Sequence, residues 1–111
     1  MLEYLFSNKN VEKVLMYLNL HKKANATELS RSFNSPLDPI QKTLRKLEMG
    51  GLLVSFLEGK TRVFQWNPRY PFLNEIQNLA QKAYDFLPQA IQASVYQNKK
   101  RKRPRKTGKN L

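Results

Sequence analysis

Apolar residues recur at three- and four-residue steps early in the chain, which is the spacing of a helix with one buried face. This stripe lies within residues 8–20 and consists of Val11, Val14, Leu15 and Leu18. A second, shorter helix is predicted near Asn25, because Asn25 and Glu28 stand at the spacing of a capping box. The turn-forming residues 34–36 then end that helix.

The third helix has two candidate starts, because Ser35 and Asp38 each precede a proline and both fit an N-cap. A proline deeper in a helix removes a backbone hydrogen bond, so Asp38 is favoured as the cap, with Pro39 as the first helical residue. The helix is then expected over about residues 38–49, and the glycine pair after Met49 ends it.

Two apolar runs around a short turn, over residues 52–57 and 61–66, predict a β-hairpin. Aromatic residues that alternate on a short hairpin favour a buried core over a surface for stacking bases. We interpret the hairpin aromatics as core; they are Phe56, Phe64 and Trp66.

After a break at residues 67–71, a broad apolar face predicts a fourth helix over residues 72–87. Pro88 interrupts it, and residues 89–97 fit a further short helix. Residues 98–111 contain almost nothing to bury, so we expect them to be disordered in the free protein.

Charge is concentrated at the C-terminal end of this 111-residue chain, whose length fits one domain. The chain carries 20 Lys and Arg against 8 Asp and Glu, and subtracting the tail's 8 positive charges from the net +12 leaves +4 elsewhere. The basic tail residues are Lys99, Lys100, Arg101, Lys102, Arg103, Arg105, Lys106 and Lys109. Contact with nucleic-acid phosphates is favoured for the tail, and RNA, anionic lipid and import machinery stay open as alternatives to DNA.

A short helix, a tight turn, a longer helix and a hairpin make up a winged helix-turn-helix, here with an added C-terminal helix and basic tail. The predicted class is mainly α with a small β-hairpin (α+β). The longer helix of such a pair fits a major groove ~12 Å wide, while its partner braces it across the backbone. The hairpin tip at residues 58–62 offers a second contact, so we expect double-stranded DNA as the partner. Besides the tail, the candidate DNA-binding residues are Gln41, Lys42, Arg45, Lys46, Lys60 and Arg62.

Four short segments resemble the winged-helix regulators of the ArsR-like class: residues 5–9, 26–30, 44–48 and 58–64. Asn67-Pro68, followed by Pro71-Phe72 and an apolar helix, is similar to one prokaryotic subgroup. Its members stand alone or precede a nucleotidyltransferase-like domain. The resemblance implies a homodimer built from the terminal helices. It also implies DNA contacts from Gln41, Lys42 and Arg45 on the third helix and from Lys60 and Arg62 on the wing.

Three regions are expected: a DNA-binding winged helix over residues 1–71, a helical dimerisation region over 72–97 and the basic tail over 98–111. For the fourth helix, pairing between two subunits is favoured over packing within one chain. The expected dimerisation residues are Leu73, Ile76, Leu79 and Ala83.

Enzyme activity has no support in the sequence, which lacks a Ser/His/Asp set, a glycine-rich phosphate loop and a metal-ligand cluster. We expect no cofactor and no metal, since metal-sensing relatives need Cys or several His and this chain has no Cys and only His21. His21 is interpreted as a charge partner for the C-terminus of the first helix.

The function expected is therefore sequence-specific regulation of transcription, with repression favoured. The alternative is a protein-interaction module that holds a nucleotidyltransferase-type partner and uses its tail as a non-specific nucleic-acid tether. No apolar run approaches the ~20 residues that span a bilayer, and no secretory signal is evident. We expect a cytoplasmic, nucleoid-associated protein, nuclear only in a eukaryotic cell.

Overall fold

The computed structural model describes residues 2–97, beginning with two helices. Helix α1 (Glu3–Phe6) is a single turn, and the longer α2 (Lys9–His21) follows it. Asn8 caps α2, since its side-chain oxygen accepts a hydrogen bond from the Asn10 amide at 2.7 Å. The apolar stripe predicted for this helix is buried, and Val14 and Leu18 expose no surface at all.

Strand β1 (Lys23–Asn25) is an element that the sequence pattern does not predict. Three residues are too few for an alternating pattern, and the strand forms because the hairpin offers it an edge to pair with. Asn25 ends the strand and caps α3 (Ala26–Phe33). The Glu28 amide donates to the Asn25 side chain at 2.8 Å, and the Asn25 amide donates to the Glu28 carboxylate at 3.0 Å. The predicted capping box is confirmed.

Helix α4 (Leu37–Met49) starts earlier than predicted, because Pro36 is its N-cap and Asp38 lies within its first turn. Pro39 is therefore the third helical residue. Amides in the first turn of a helix have no acceptor within the helix, so a proline there removes no hydrogen bond. The preference for Asp38 as the cap was wrong for this reason. Asn34, in left-handed conformation at φ 51°, makes the tight turn from α3.

Strands β2 (Leu53–Glu58) and β3 (Thr61–Trp66) form the predicted hairpin, which serves as the wing, and the strand order is β1-β3-β2. Its two-residue turn starts at Gly59, whose φ of +63° is open to glycine without steric cost. Phe64 and Trp66 are buried in the core, as predicted. Phe56 is only half-buried, and the Lys23 ammonium lies 5.9 Å from its ring centroid.

Helix α5 (Leu73–Asp85) packs against α2, and the Asn19 side chain donates to the Gln77 carbonyl at 3.0 Å. Leu73 and Ile76 are partly buried against the shared core. Ala83 was expected to be buried only in a dimer, but a single chain already buries it and leaves only 4% of its surface exposed. That part of the expectation is corrected.

The described chain ends in a short helical segment made of α6 (Gln89–Ile91) and the π-helical stretch Gln92–Gln97. Tyr96 holds this segment to the body, since it is 3% exposed and its ring lies 5.8 Å from that of Phe33 and 5.6 Å from that of Tyr84. His21, the last residue of α2, donates a ring N–H to the Tyr96 carbonyl. The predicted disordered tail lies outside the described residues.

We expect the fold to lose stability in alkaline solution partly through Tyr96. Burial raises the pKa of Tyr96 above its usual value of 10.0, and the charge of Glu12 acts in the same direction. As the pH rises past about 10, the unfolded chain releases this proton before the folded chain does, so the free energy of unfolding falls. Urea unfolding at about pH 8 and about pH 11 measures this loss.

In the Tyr96→Phe variant the loss between the two pH values should be smaller than in the parent chain. Tyr4→Phe is the matched control, because Tyr4 is 89% exposed and its replacement should leave the pH dependence unchanged. Equal losses in the parent and in Tyr96→Phe would contradict the prediction.

Candidate nucleic-acid interface

A groove of about 500 Å³ lies between α4 and the hairpin. Three parts of the chain that are distant in sequence line it: the start of α3, one face of α4, and the turn and second strand of the hairpin. The lining residues are Asn25, Ala26, Thr27, Gln41, Arg45, Glu48, Lys60, Thr61, Arg62 and Phe64. The helix pair and the wing therefore form one continuous surface.

The α4 side of the groove carries Gln41, Arg45 and Glu48, which stand at i, i+4 and i+7 and so share one helix face. The opposite face of α4 is fixed in the core, where Ile40 and Leu44 expose no surface. This anchoring leaves Arg45 exposed and Gln41 and Glu48 half-buried at the groove. The three side chains are thus held by a rigid element rather than a loop.

A chain of hydrogen bonds joins the hairpin to α4 beside the groove. Arg62 Nη1 donates to Ser55 Oγ at 2.9 Å, and Ser55 Oγ donates to Glu48 Oε2 at 2.7 Å. On β1, Lys23 Nζ lies 2.9 Å from Glu58 Oε2, but both side chains are about half exposed. Exposed ion pairs of this kind contribute about 0–1 kcal/mol. The link through Ser55 is the one that fixes the wing arginine relative to α4.

The charges that line the groove favour a polyanion. Arg45, Lys60 and Arg62 are cationic, whereas Glu48 is the acidic residue among the lining side chains. The N-terminus of α3 adds partial positive charge beside Thr27. An α-helix with its side chains is ≈ 10–12 Å across, which suits the major groove.

Two of the predicted α4 residues, Lys42 and Lys46, do not line this groove. Lys42 Nζ lies 3.2 Å from Asp38 Oδ2 one turn earlier, and both side chains are largely exposed. Lys46 lines a separate cleft of about 250 Å³, together with Phe6, Val11, Leu15, Leu47, Gly50, Leu52, Tyr70 and Ile76. The structure thus brings Gln41 and Arg45 together with the wing residues Lys60 and Arg62. A DNA role for Lys42 and Lys46 stays a prediction. The basic residues of the tail lie outside the described part of the chain.

Sequence reasoning missed Glu48, Thr27 and Ser55. Glu48 could have been found, because it stands seven residues after Gln41 and so falls on the same helix face. Thr27 could have been found from its place in the first turn after the predicted cap. Ser55 gave no signal, because its role depends on the packing of β2 against α4.

Neither a cluster of metal-ligand side chains nor a helix able to span a membrane is found in residues 2–97. No three His, Cys, Asp or Glu side chains in that range are grouped so that they could hold a metal ion. No helix in the same range is long and apolar enough to cross a membrane. The expectation that the protein senses no metal stays a prediction.

Comparison with known proteins finds a similar fold but no match in sequence. No protein-family model and no curated protein matches the sequence. The fold is similar to the crystal structure of the adhesin competence repressor AdcR from Streptococcus pyogenes, with a TM-score of 0.59 at 15% sequence identity. The match covers 75% of this chain and 66% of AdcR, so the chain spans just under two thirds of that protein.

At this level of identity the comparison shows the fold alone. The chain has a winged helix-turn-helix fold with a three-stranded antiparallel sheet, which confirms the predicted fold class. The likeness does not distinguish the ArsR-like class from other winged-helix proteins, so that assignment stays a prediction.

Arg45 and Lys46 are neighbours in sequence, but Arg45 lines the groove and Lys46 lines the separate cleft. For a duplex seated in the groove, Arg45→Ala should reduce the preference for a specific site over random DNA by about 1–3 kcal/mol, the value of a bidentate base contact. Lys46→Ala is the matched control, because it removes the same charge one residue away on a side chain that faces the other cleft. Fluorescence anisotropy with a selected duplex and a random one measures both ratios. Equal ratios in the two variants would contradict the assignment of Arg45 to the groove.

Proposed function

We propose that this protein binds double-stranded DNA in a sequence-specific manner and regulates transcription, with repression favoured. The observation that carries the proposal is the shared groove, in which Gln41 and Arg45 of α4 face the wing residues Lys60 and Arg62. The winged-helix fold, which AdcR also has, supports this use of the groove.

In the proposed complex, α4 enters the major groove with Gln41 and Arg45 facing the base edges. Glutamine can make a bidentate contact to adenine and arginine to guanine, so this pair has the chemistry to read sequence. Lys60 and Arg62 contact phosphates beside the site, and the N-terminus of α3 lies against the backbone, where its partial positive charge favours a phosphate. In this arrangement α4 reads the bases, while the wing and α3 contact the phosphate backbone.

The basic tail is proposed to add contacts to phosphates that carry no sequence information. It follows Gln97, and Tyr96 next to that residue packs on Phe33 at the end of α3. The opposite end of this eight-residue helix lines the groove, so Tyr96 packs one α3 length, roughly 12 Å, from the groove. Fourteen residues reach at most about 46–50 Å when extended, which is ample to follow the backbone of the same duplex.

A homodimer is also proposed, with α5 at or near the interface. Leu79 lines a small cleft of about 180 Å³ with Leu2, Lys82, Ala83 and Phe86, and the Phe86 side chain is 66% exposed. Leu73 and Ile76 keep part of their surface open. A two-fold dimer of this kind would read two half-sites one or more helical turns apart, about 34–36 Å from centre to centre.

Selection of bound sequences from a pool of random duplexes tests the proposal directly. We expect an enriched consensus, and a palindromic one if the protein acts as a two-fold dimer. A pool that shows no enrichment would overturn sequence-specific binding. The alternative function, in which the same winged-helix surface holds a partner protein of nucleotidyltransferase type, would then replace it.

Removal of residues 98–111 should weaken binding to all duplexes alike. Each phosphate neutralised adds about −0.9 to the slope of log affinity against log salt, so losing the tail's eight charges should flatten that slope by several units. The preference for the selected site over random DNA should stay unchanged. Titrations at several salt concentrations measure both quantities, and a truncated protein that binds but has lost its preference would contradict the division of roles.

A further inference from the structure

Glu48 is an acidic side chain in a groove otherwise suited to a polyanion. It lies on the same α4 face as Gln41 and Arg45 and lines the same cavity. A carboxylate placed there opposes the approach of phosphate and loses water when a duplex is seated. Such a residue weakens binding unless the duplex gives its carboxylate a hydrogen-bond donor.

The hydrogen bonds around Glu48 fix its orientation without neutralising it. Oε2 accepts from Ser55 Oγ at 2.7 Å, and that hydroxyl accepts from Arg62 Nη1 at 2.9 Å. Arg62 therefore reaches the carboxylate only through the serine hydroxyl. A carboxylate offers about four lone-pair sites, so one neutral donor leaves most of its accepting capacity unused.

Within a duplex, the major-groove donors are the exocyclic amino groups, N4 of cytosine and N6 of adenine, whereas guanine and thymine present acceptors. Resting on the proposed function, we propose that Glu48 is a third base-reading residue of α4 and accepts a hydrogen bond from such an amino group. Ser55 is its positioning residue. A guanine or thymine in that place leaves the carboxylate desolvated and unpaired, which lowers affinity for the wrong sequence.

The spacing along the helix agrees with a three-residue reading surface. Seven residues of α-helix rise about 10.5 Å between Gln41 and Glu48, and Arg45 stands between them. Successive bases in a DNA strand are about 3.4 Å apart, so this rise corresponds to about three base-pair steps. Gln41, Arg45 and Glu48 then face successive parts of one half-site.

Random-duplex selection with the full chain and with Glu48→Gln tests the inference. The parent consensus should contain a position that prefers cytosine or adenine by roughly tenfold over guanine and thymine, a factor in the range of one base contact. Glutamine keeps an acceptor for Ser55 and adds an amide donor, so the variant should tolerate guanine or thymine at that position. The other positions should be unchanged.

Glu58→Gln is the matched control, since it removes the same charge from a wing residue outside the groove lining and should keep the parent consensus. Ser55→Ala should weaken the preference at the Glu48 position. A purely structural role for Glu48 would lower affinity at every site alike without altering which base is preferred.

A second measurement uses the unmodified protein and so does not depend on how the variants fold. The base at the preferred position is replaced by an analogue that lacks the amino group, pyrimidin-2-one for cytosine or purine for adenine. We expect a loss of affinity of roughly tenfold, and the analogue that causes it identifies which base is read.

An unchanged consensus in Glu48→Gln, or no loss with either analogue, would overturn this inference while the proposed function stands. A parent protein that enriches no sequence would instead overturn the proposed function itself.

Discussion

Burial of α2 is the constraint on which the rest of the structure depends. Val14 and Leu18 lose all their exposed surface, and α1, α3, α4, α5 and the C-terminal π-helical stretch all contact this helix. A fully buried aliphatic side chain contributes about 1.5–3 kcal/mol relative to its exposed state, so a few such residues account for much of the stability of a small domain. Because α4 rests on this helix with Ile40 and Leu44, the groove residues on its other face are held indirectly by α2.

The attachment of the wing differs in kind from the attachment of the helices. The hairpin is buried through Leu53, Phe64 and Trp66. Its polar link to α4 starts midway along the strands, where Ser55 pairs with Phe64, and runs toward the tip to Arg62. Hydrogen bonds are directional, and those to charged groups are stronger than neutral ones. This arrangement fixes the angle of the wing and leaves the groove open, whereas a continuous apolar contact between the wing and α4 would fill it.

Local signals in the sequence predicted most of the fold. The start of α4 was missed for a local reason, because Pro39 fits its first turn, and the other errors arose where long-range contacts decide. The stripe of α2, the capping box of α3 and the glycine turn of the hairpin each depend on residues close in sequence. Strand β1 exists only because β3 pairs with it, and the direction of Lys46 depends on how α4 rotates against the core. Within the candidate site, residue type and helix spacing predicted Gln41 and Arg45, but the contact of Ser55 with Glu48 required the folded chain.

The Tyr96 anchor has a consequence for how such a chain can change over evolutionary time. Its ring closes the aromatic contacts with Phe33 and Tyr84, so the body of the domain extends to the end of the π-helical stretch at Gln97. A chain shortened before Tyr96 would uncover these rings, whereas additions and deletions after Gln97 leave every described core contact in place. The number of basic residues beyond that point is therefore free to drift or to be selected, without a matching demand on the core. The packing of the core and the number of basic residues in the tail can therefore change independently of each other.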